Sequence, residues 1–197
     1  MSNLVSQSYI QFIISQNVDG IFLKTGLSRK SISELHGNFF LDECTHCQSR
    51  FIRSSPSITM GLKISKNICP RPKRPCRGYL RDTILDWEDD LPRTEFDKAI
   101  FYSQKADLCI CLGTSLQIVP AANLPFICKK RKDNPGKVVI INLQPTKCDS
   151  KADLVIHDYV DNVMILLCKL LGVKITNYDQ EKDLTYFDNP SLIKMWK

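Results

Sequence analysis

The chain has 197 residues, enough for one substantial domain with a small appended module, and its 43% hydrophobic and 24% charged content is ordinary for a globular protein. Twenty-seven basic against twenty-one acidic residues leave a net charge of +6, which favours an acidic partner or a chromatin setting without demonstrating either. No apolar run approaches the roughly 20 residues of a membrane-spanning helix, so a membrane helix is excluded and no membrane partner is expected, and Met1 to Gln7 lack the basic-then-apolar layout of a signal peptide.

Residues 4–14 read as the tail of a helix running into a short strand, Phe12-Ile13-Ile14. The polar stretch Ser15-Gln16-Asn17-Val18-Asp19-Gly20 follows and ends in an Asp-Gly turn signal. Because α/β sheets bind ligands at the carboxyl ends of their strands, these amides and this carboxylate are placed to do so. A capped turn accounts for the same residues more simply. Next comes His36-Gly37, in which an imidazole able to accept a proton near neutral pH sits beside a residue with no Cβ to obstruct a substrate.

Residues 38–86 differ in character. Short strand-like pieces (Phe39 to Leu41, Arg50 to Arg53, Tyr79 to Leu85) surround an irregular segment with three prolines between Cys69 and Cys76. Cys44, Cys47, Cys69 and Cys76 are spaced C-x2-C-x21-C-x6-C, a pattern suited to one structural zinc whose four thiolates leave no open position. His46 is a competing ligand inside the knuckle. A redox Cys-x-x-Cys is the main rival, but it would not need the second pair. The other five cysteines (Cys109, Cys111, Cys128, Cys148, Cys168) sit mostly in apolar runs, as small hydrophobes in a reducing compartment do.

From Thr94 onward strands and helices alternate. Thr94 is a candidate N-cap for a helix with Phe96, Ala99, Ile100 and Ser103 inward. Leu108 to Leu112 is an apolar run expected of a parallel strand covered on both faces, and it ends in Gly113-Thr114-Ser115. Pro120 suits the first turn of a helix reaching about Lys130. Val138 to Ile141 is another buried strand, ending in Asn142-Leu143-Gln144, and Ala152 to Ile156 is a shorter one. Asp158 can cap a helix carrying Val160, Val163, Met164, Leu167, Leu170 and Leu171, with Gly172 as terminator. The order implies an α/β fold with a Rossmann-like parallel sheet. The run Lys129-Lys130-Arg131-Lys132 reads as a nuclear import signal or, at least as well, as the basic end of a helix.

Together, Gln16 to Gly20, His36-Gly37-Asn38, the cysteine cluster, Gly113-Thr114-Ser115 and Asn142-Leu143-Gln144 resemble the sirtuins, NAD-dependent protein-lysine deacylases, from about Val5 to Ile175. The runs Arg81 to Asp89, Gly113 to Ile118 and Asn142 to Lys147 narrow the resemblance to the class IV branch, and within it to a nuclear chromatin enzyme. The resemblance implies an NAD-binding domain over residues 1–37 and 79–175, an inserted zinc-binding module at 38–78 and a C-terminal tail at 176–197. The sheet is expected to be incomplete. The family's glycine-rich first strand-helix unit and its cofactor loop would fall upstream of residue 1, an N-terminal truncation that leaves one flank of Phe12 to Ile14 unprotected.

Carried over residue by residue, the resemblance implies that His36 is the general base toward the NAD ribose. Gln16 would touch that ribose, and Asn17 and Asp19 would line the nicotinamide pocket. Gly113, Thr114 and Ser115 would surround the cofactor's phosphates and ribose, with Asn142, Leu143, Gln144 and Val160 on the adenosine side. Ile84, Leu85, Asp86 and Trp87 match the strand that pairs with the acyl-lysine peptide, although core packing is a rival role for Trp87. The implied partners are an acyl-lysine protein, a histone above all, and chromatin, with mono-ADP-ribosyl transfer as a side activity. The alternative is an inert, zinc-stabilised fragment that binds chromatin or a protein.

Overall fold

The computed structural model describes residues 1–71, 76–187 and 193–196. Its elements run α1 (Ser2–Ser6), β1 (Ile13–Ser15), α2 (Ile21–Lys24), β2 (Ile32–Glu34), β3 (Leu41–Cys44), β4 (Arg50–Ile52), β5 (Ile64–Ile68) and β6 (Tyr79–Asp82). There follow α3 (Arg93–Lys105), β7 (Leu108–Leu112), β8 (Lys137–Ile141), β9 (Leu154–Ile156), α4 (Val160–Leu170) and β10 (Lys194–Met195). Two compact units result, Met1–Glu95 with Asn177–Lys197, and Phe96–Thr176. The fold is Rossmann-like α/β with parallel strands, and the first unit also contains a small antiparallel module that carries four cysteines.

In the first unit β1 and β2 pair in parallel, with Ile13 opposite Ile32 and Ser15 opposite Glu34. Ile13, Leu23, Leu27, Ile32, Leu41 and Ile52 form the buried cluster beneath them. The antiparallel sheet has the order β10-β4-β3-β6-β5. The strand expected over Tyr79 to Leu85 stops at Asp82, whose carboxylate accepts from the backbone N–H groups of Leu62, Lys63 and Ile84 and so takes donors a ladder would use. The described part of the C-terminal segment packs onto the first unit. Phe187 and Trp196 are buried in the same cluster as Ile13, β10 pairs with β4, and Trp196 Nε1 donates to Leu27 O at 3.4 Å.

In the second unit β7, β8 and β9 form a parallel sheet in that order. β7 is not covered on both faces as expected: Cys111 is buried with Cys128, Val138 and Ile140, whereas Leu108 and Ile110 are exposed, the alternation of an edge strand with one face outward. The expected helix from Pro120 to Lys130 is instead two 3-10 segments, Ala121–Phe126 and Cys128–Lys130, because Pro125 inside it lacks the N–H that an α-helix would use. Helix α3 buries Ala99 and Ser103 and half-buries Phe96 and Ile100, the expected stripe, but begins at Arg93 so that Thr94 lies within it. Of the residues expected on α4, Leu170 faces solvent at 76% exposure, and Leu171, exposed too, lies just past the helix end. The basic run is partly built into the fold: Lys129 pairs with Asp153 at 2.8 Å and Arg131 with Asp107 at 3.2 Å.

Candidate functional site

Parallel pairing puts successive strand ends on one edge, and each unit gathers polar residues there. In the first unit the edge follows Ser15 and Glu34. Ser15 Oγ accepts from Asn17 N at 3.1 Å, Asp19 Oδ1 accepts from Ile21 N at 3.1 Å, and Gly20 has φ +71, so Gln16 to Gly20 form a capped turn into α2. Leu35 N donates to Ser15 O at 2.9 Å and Phe39 N to Val18 O at 2.9 Å, which binds this turn to the one carrying His36. The half-buried His36 ring is hydrogen-bonded to the backbone carbonyl of Gln16. Burial lowers its pKa below the ordinary 6.5, and the Gln16 carbonyl, by favouring the charged ring, offsets part of that shift. A neutral imidazole tied at one nitrogen leaves the other as an acceptor. The structure thus brings Gln16 and His36 into contact and sets Asn17 and Asp19 in the adjoining turn.

Gly37 has φ +86, and a Cβ there would lie 1.8 Å from Thr83 O. The close approach that demands glycine is therefore to the protein's own backbone, not to a substrate as the sequence suggested. Thr83 Oγ1 accepts from Asn38 N and donates to Asn38 O, both at 3.1 Å, and Leu85 N donates to His36 O at 3.2 Å. The segment Ile84 to Trp87 is thereby fixed beside the histidine turn. Ile84 is buried at 3% exposure and its carbonyl accepts from Gly61 N and Leu62 N, whereas Trp87 is 91% exposed, which removes core packing as its role.

The sulfurs of Cys44, Cys47, Cys69 and Cys76 all lie within 4.8 Å of one another, with Cys44–Cys76 at 3.6 Å and Cys47–Cys69 at 3.7 Å. Zinc–sulfur bonds of about 2.3 Å in a tetrahedron place sulfurs about 3.8 Å apart, so the set fits a structural zinc. Backbone N–H groups of His46 and Cys47 point at Cys44 Sγ, at 3.4 and 3.5 Å, while the His46 side chain is exposed and outside the cluster. Gly78 likewise has no room for a side chain, since a Cβ there would meet Cys44 Sγ at 2.6 Å. Of the expected proline-rich segment, residues 72–75 lie outside those described.

In the second unit a cavity of about 270 Å³ opens at the ends of β7, β8 and β9, lined by Gly113, Asn142, Leu143, Asp158, Tyr159, Val160 and Asp161. Four of the expected adenosine- and phosphate-side residues, Gly113, Asn142, Leu143 and Val160, meet there. Thr114, Ser115 and Gln144 flank it: Thr114 Oγ1 accepts from Leu116 N at 3.3 Å and Gln144 O from Asn142 Nδ2 at 2.8 Å. Gly113 has φ +58 and only Val160, at 3.7 Å, near its Cβ direction, so the cavity floor is bare backbone. Asp158, Tyr159 and Asp161 escape sequence reasoning as lining residues, although the rule that finds Asn142 applies equally after β9. Asp158 does not serve as the N-cap of α4. That position is Tyr159, and Asp158 Oδ1 instead accepts from Tyr159 N at 2.6 Å and Asn162 Nδ2 at 2.9 Å.

Comparison with known proteins accounts for this arrangement. Residues 1–120 match the Sir2 family. The NAD-dependent protein deacetylase Sirt6 of Drosophila melanogaster is 46% identical over 192 residues, which cover 95% of this chain and 60% of the fly protein. A crystal structure of a Sir2 homologue in complex with NAD superposes with a TM-score of 0.67 at 28% identity, covering 86% of this chain and 61% of that one. Sir2 bound to an acetylated peptide gives a TM-score of 0.64 at 27% identity, covering 87% and 68%. The chain therefore spans 60% of the length of its fly relative. With His36, the turns after β1 and β7 and the four cysteines all within residues 1–120, this chain belongs to the Sir2 family.

Proposed function

We propose that this chain carries the base, zinc and adenosine-binding parts of an NAD-dependent protein-lysine deacylase. The observation that carries the reading is the His36 imidazole, held neutral by burial and anchored through one ring nitrogen to Gln16 O at the edge of a parallel strand pair. Bound NAD would supply the ribose carbon that receives the acyl oxygen and the nicotinamide that departs. His36 accepts the proton of a ribose hydroxyl, a role worth typically 10²–10⁴-fold. Gln16 orients that ribose, and Asn17 and Asp19 bound the nicotinamide side. Gly113 presents open backbone to phosphate oxygens, helped by the hydroxyls of Thr114 and Ser115. Asn142, Leu143, Gln144 and Val160 face the adenosine, where the 270 Å³ cavity supports the assignment.

Ile84, Leu85, Asp86 and Trp87 receive the acyl-lysine peptide, and the exposed Trp87 ring is available to pack against it. The proposal extends to a nuclear chromatin setting with a histone substrate, supported by the net charge of +6, and to mono-ADP-ribosyl transfer as a side activity. The test is nicotinamide release from NAD with an acetyl-lysine histone peptide, comparing the chain with His36→Ala. Peptide-dependent release that His36→Ala removes is expected. Peptide binding without release would overturn the catalytic reading and assign the chain to the inert binding modules.

A further inference from the structure

Glu34 closes β2 two residues before His36 and is only 3% exposed. Its Oε1 accepts from Asn38 Nδ2 at 2.6 Å, while Oε2 is buried with no hydrogen-bond partner. Oε2 lacks a partner in either state, but burying an unpartnered neutral hydroxyl costs far less than burying a carboxylate whose second oxygen has no donor, which favours the protonated form. Arg50 faces Glu34 from β4, but its Nη1 is engaged by Glu95 at 3.1 Å and its Nε by Glu43 at 3.3 Å. Glu95 in the first turn of α3, itself met by Arg29 at 3.6 Å, and Asp19 after β1 add negative charge that opposes ionisation. Burial above all, with these two acids and against the pull of Asn38 and Arg50, pushes the Glu34 carboxyl up to about 7.

Asn38 is the link to the histidine turn. It is fully buried, its Oδ1 accepts from Phe40 N at 2.8 Å, and its backbone N–H and carbonyl are both held by Thr83 Oγ1. Its side-chain amide therefore bridges Glu34 to the backbone just beyond His36 and Gly37. We propose that Glu34 is a positioning residue for the His36 turn, holding a proton on Oε2 on the acid side of neutrality, yielding it to solvent on the alkaline side, and passing the change through Asn38 to residues 36–40. In the ionised state the Asn38 hydrogen bond becomes charge-assisted and tightens, and Oε2 demands a donor it lacks in the protonated one. The consequence for catalysis rests on His36 being the base. The proton switch itself does not.

The experiment is a titration of the full chain by NMR from about pH 5.5 to 8.5. It follows the Asn38 side-chain amide and, in carbon-labelled protein, Glu34 Cδ. Both should pass through one inflection near pH 7. In Glu34→Gln, a near-isosteric neutral variant, the Asn38 inflection should vanish while the His36 ring still titrates. A Glu34 Cδ that stays flat over this range, or an Asn38 inflection that survives Glu34→Gln, overturns the proposal; the wild-type carbon signal decides even if the variant does not fold. Nicotinamide release forms a separate arm, in which Glu34→Gln should remove an inflection near 7 and keep the His36 limb. A profile unchanged by Glu34→Gln overturns the positioning role. Absence of release from both proteins counts against the His36 chemistry, while the NMR titration still decides the proton switch.

Discussion

The backbone N–H of Leu85 donates to the carbonyl of His36 at 3.2 Å, so the turn that carries the imidazole and the segment proposed to receive the peptide are one hydrogen-bonded body. Thr83 strengthens the joint from the other side, with Oγ1 donating to Asn38 O and Leu41 O. A shift in either partner moves both.

Gly37→Ala tests that joint. The new methyl would lie 1.8 Å from Thr83 O on a backbone with φ +86, and backbone atoms cannot step aside as side chains do. A loss of about 3 kcal/mol or more is expected, read from the urea midpoint at unchanged slope. Full stability in the alanine variant would contradict the packing described.

His36 gives a pH prediction of definite sign. Its pKa is lowered, so the imidazole stays neutral down to below the ordinary value of 6.5. The acid limb of kcat/KM for NAD should therefore bend below pH 6.5, because that profile reports the free protein's essential base. Because Glu34 adds its own inflection near 7, the test is read in Glu34→Gln, where an acid limb bending above 6.5 would mean that another group is titrating.

Metal content is the third. Purified chain should carry one zinc, and Cys44→Ser should lose it, because Cys44 is fully buried at the centre of the cluster. Apparent free energies of structural zinc sites reach roughly 10 kcal/mol or more, so a strong chelator should melt β3 to β6 as followed by hydrogen exchange. Zinc-free protein with those amides still protected would exclude the structural role.

Trp87→Ala separates binding from folding. With 91% of the residue exposed, truncation should change stability by less than about 0.5 kcal/mol. Anisotropy of a labelled acetyl-lysine peptide should show weaker binding, and equal affinity for both proteins would remove Trp87 from the peptide site.

The strand runs Leu108 to Leu112 and Val138 to Ile141 are legible because their apolar residues continue unbroken, and the four thiols because their spacing is itself chemical. β2 is not. It reads Ile-Ser-Glu, and its burial depends on partners far along the chain: Ser33 Oγ donates to Glu95 O at 2.8 Å, across 62 residues. The tail is unreadable for a similar reason, since Trp196 needs Leu27 O and Arg50 O to become a core residue. Pro125 stands in plain view and does forbid the α-helix expected around it. The role of Gly37 is legible only in part. The sequence announces a missing Cβ but not that Thr83 fills the space.

Arg50 belongs to β4, the strand three residues beyond Cys47, and it grips Glu95 at the head of α3 together with Glu43 beside Cys44. Losing the ion would loosen this arginine and leave Glu95 to Arg29 and Glu43 to Arg81, so the charge balance around Glu34 shifts with the metal.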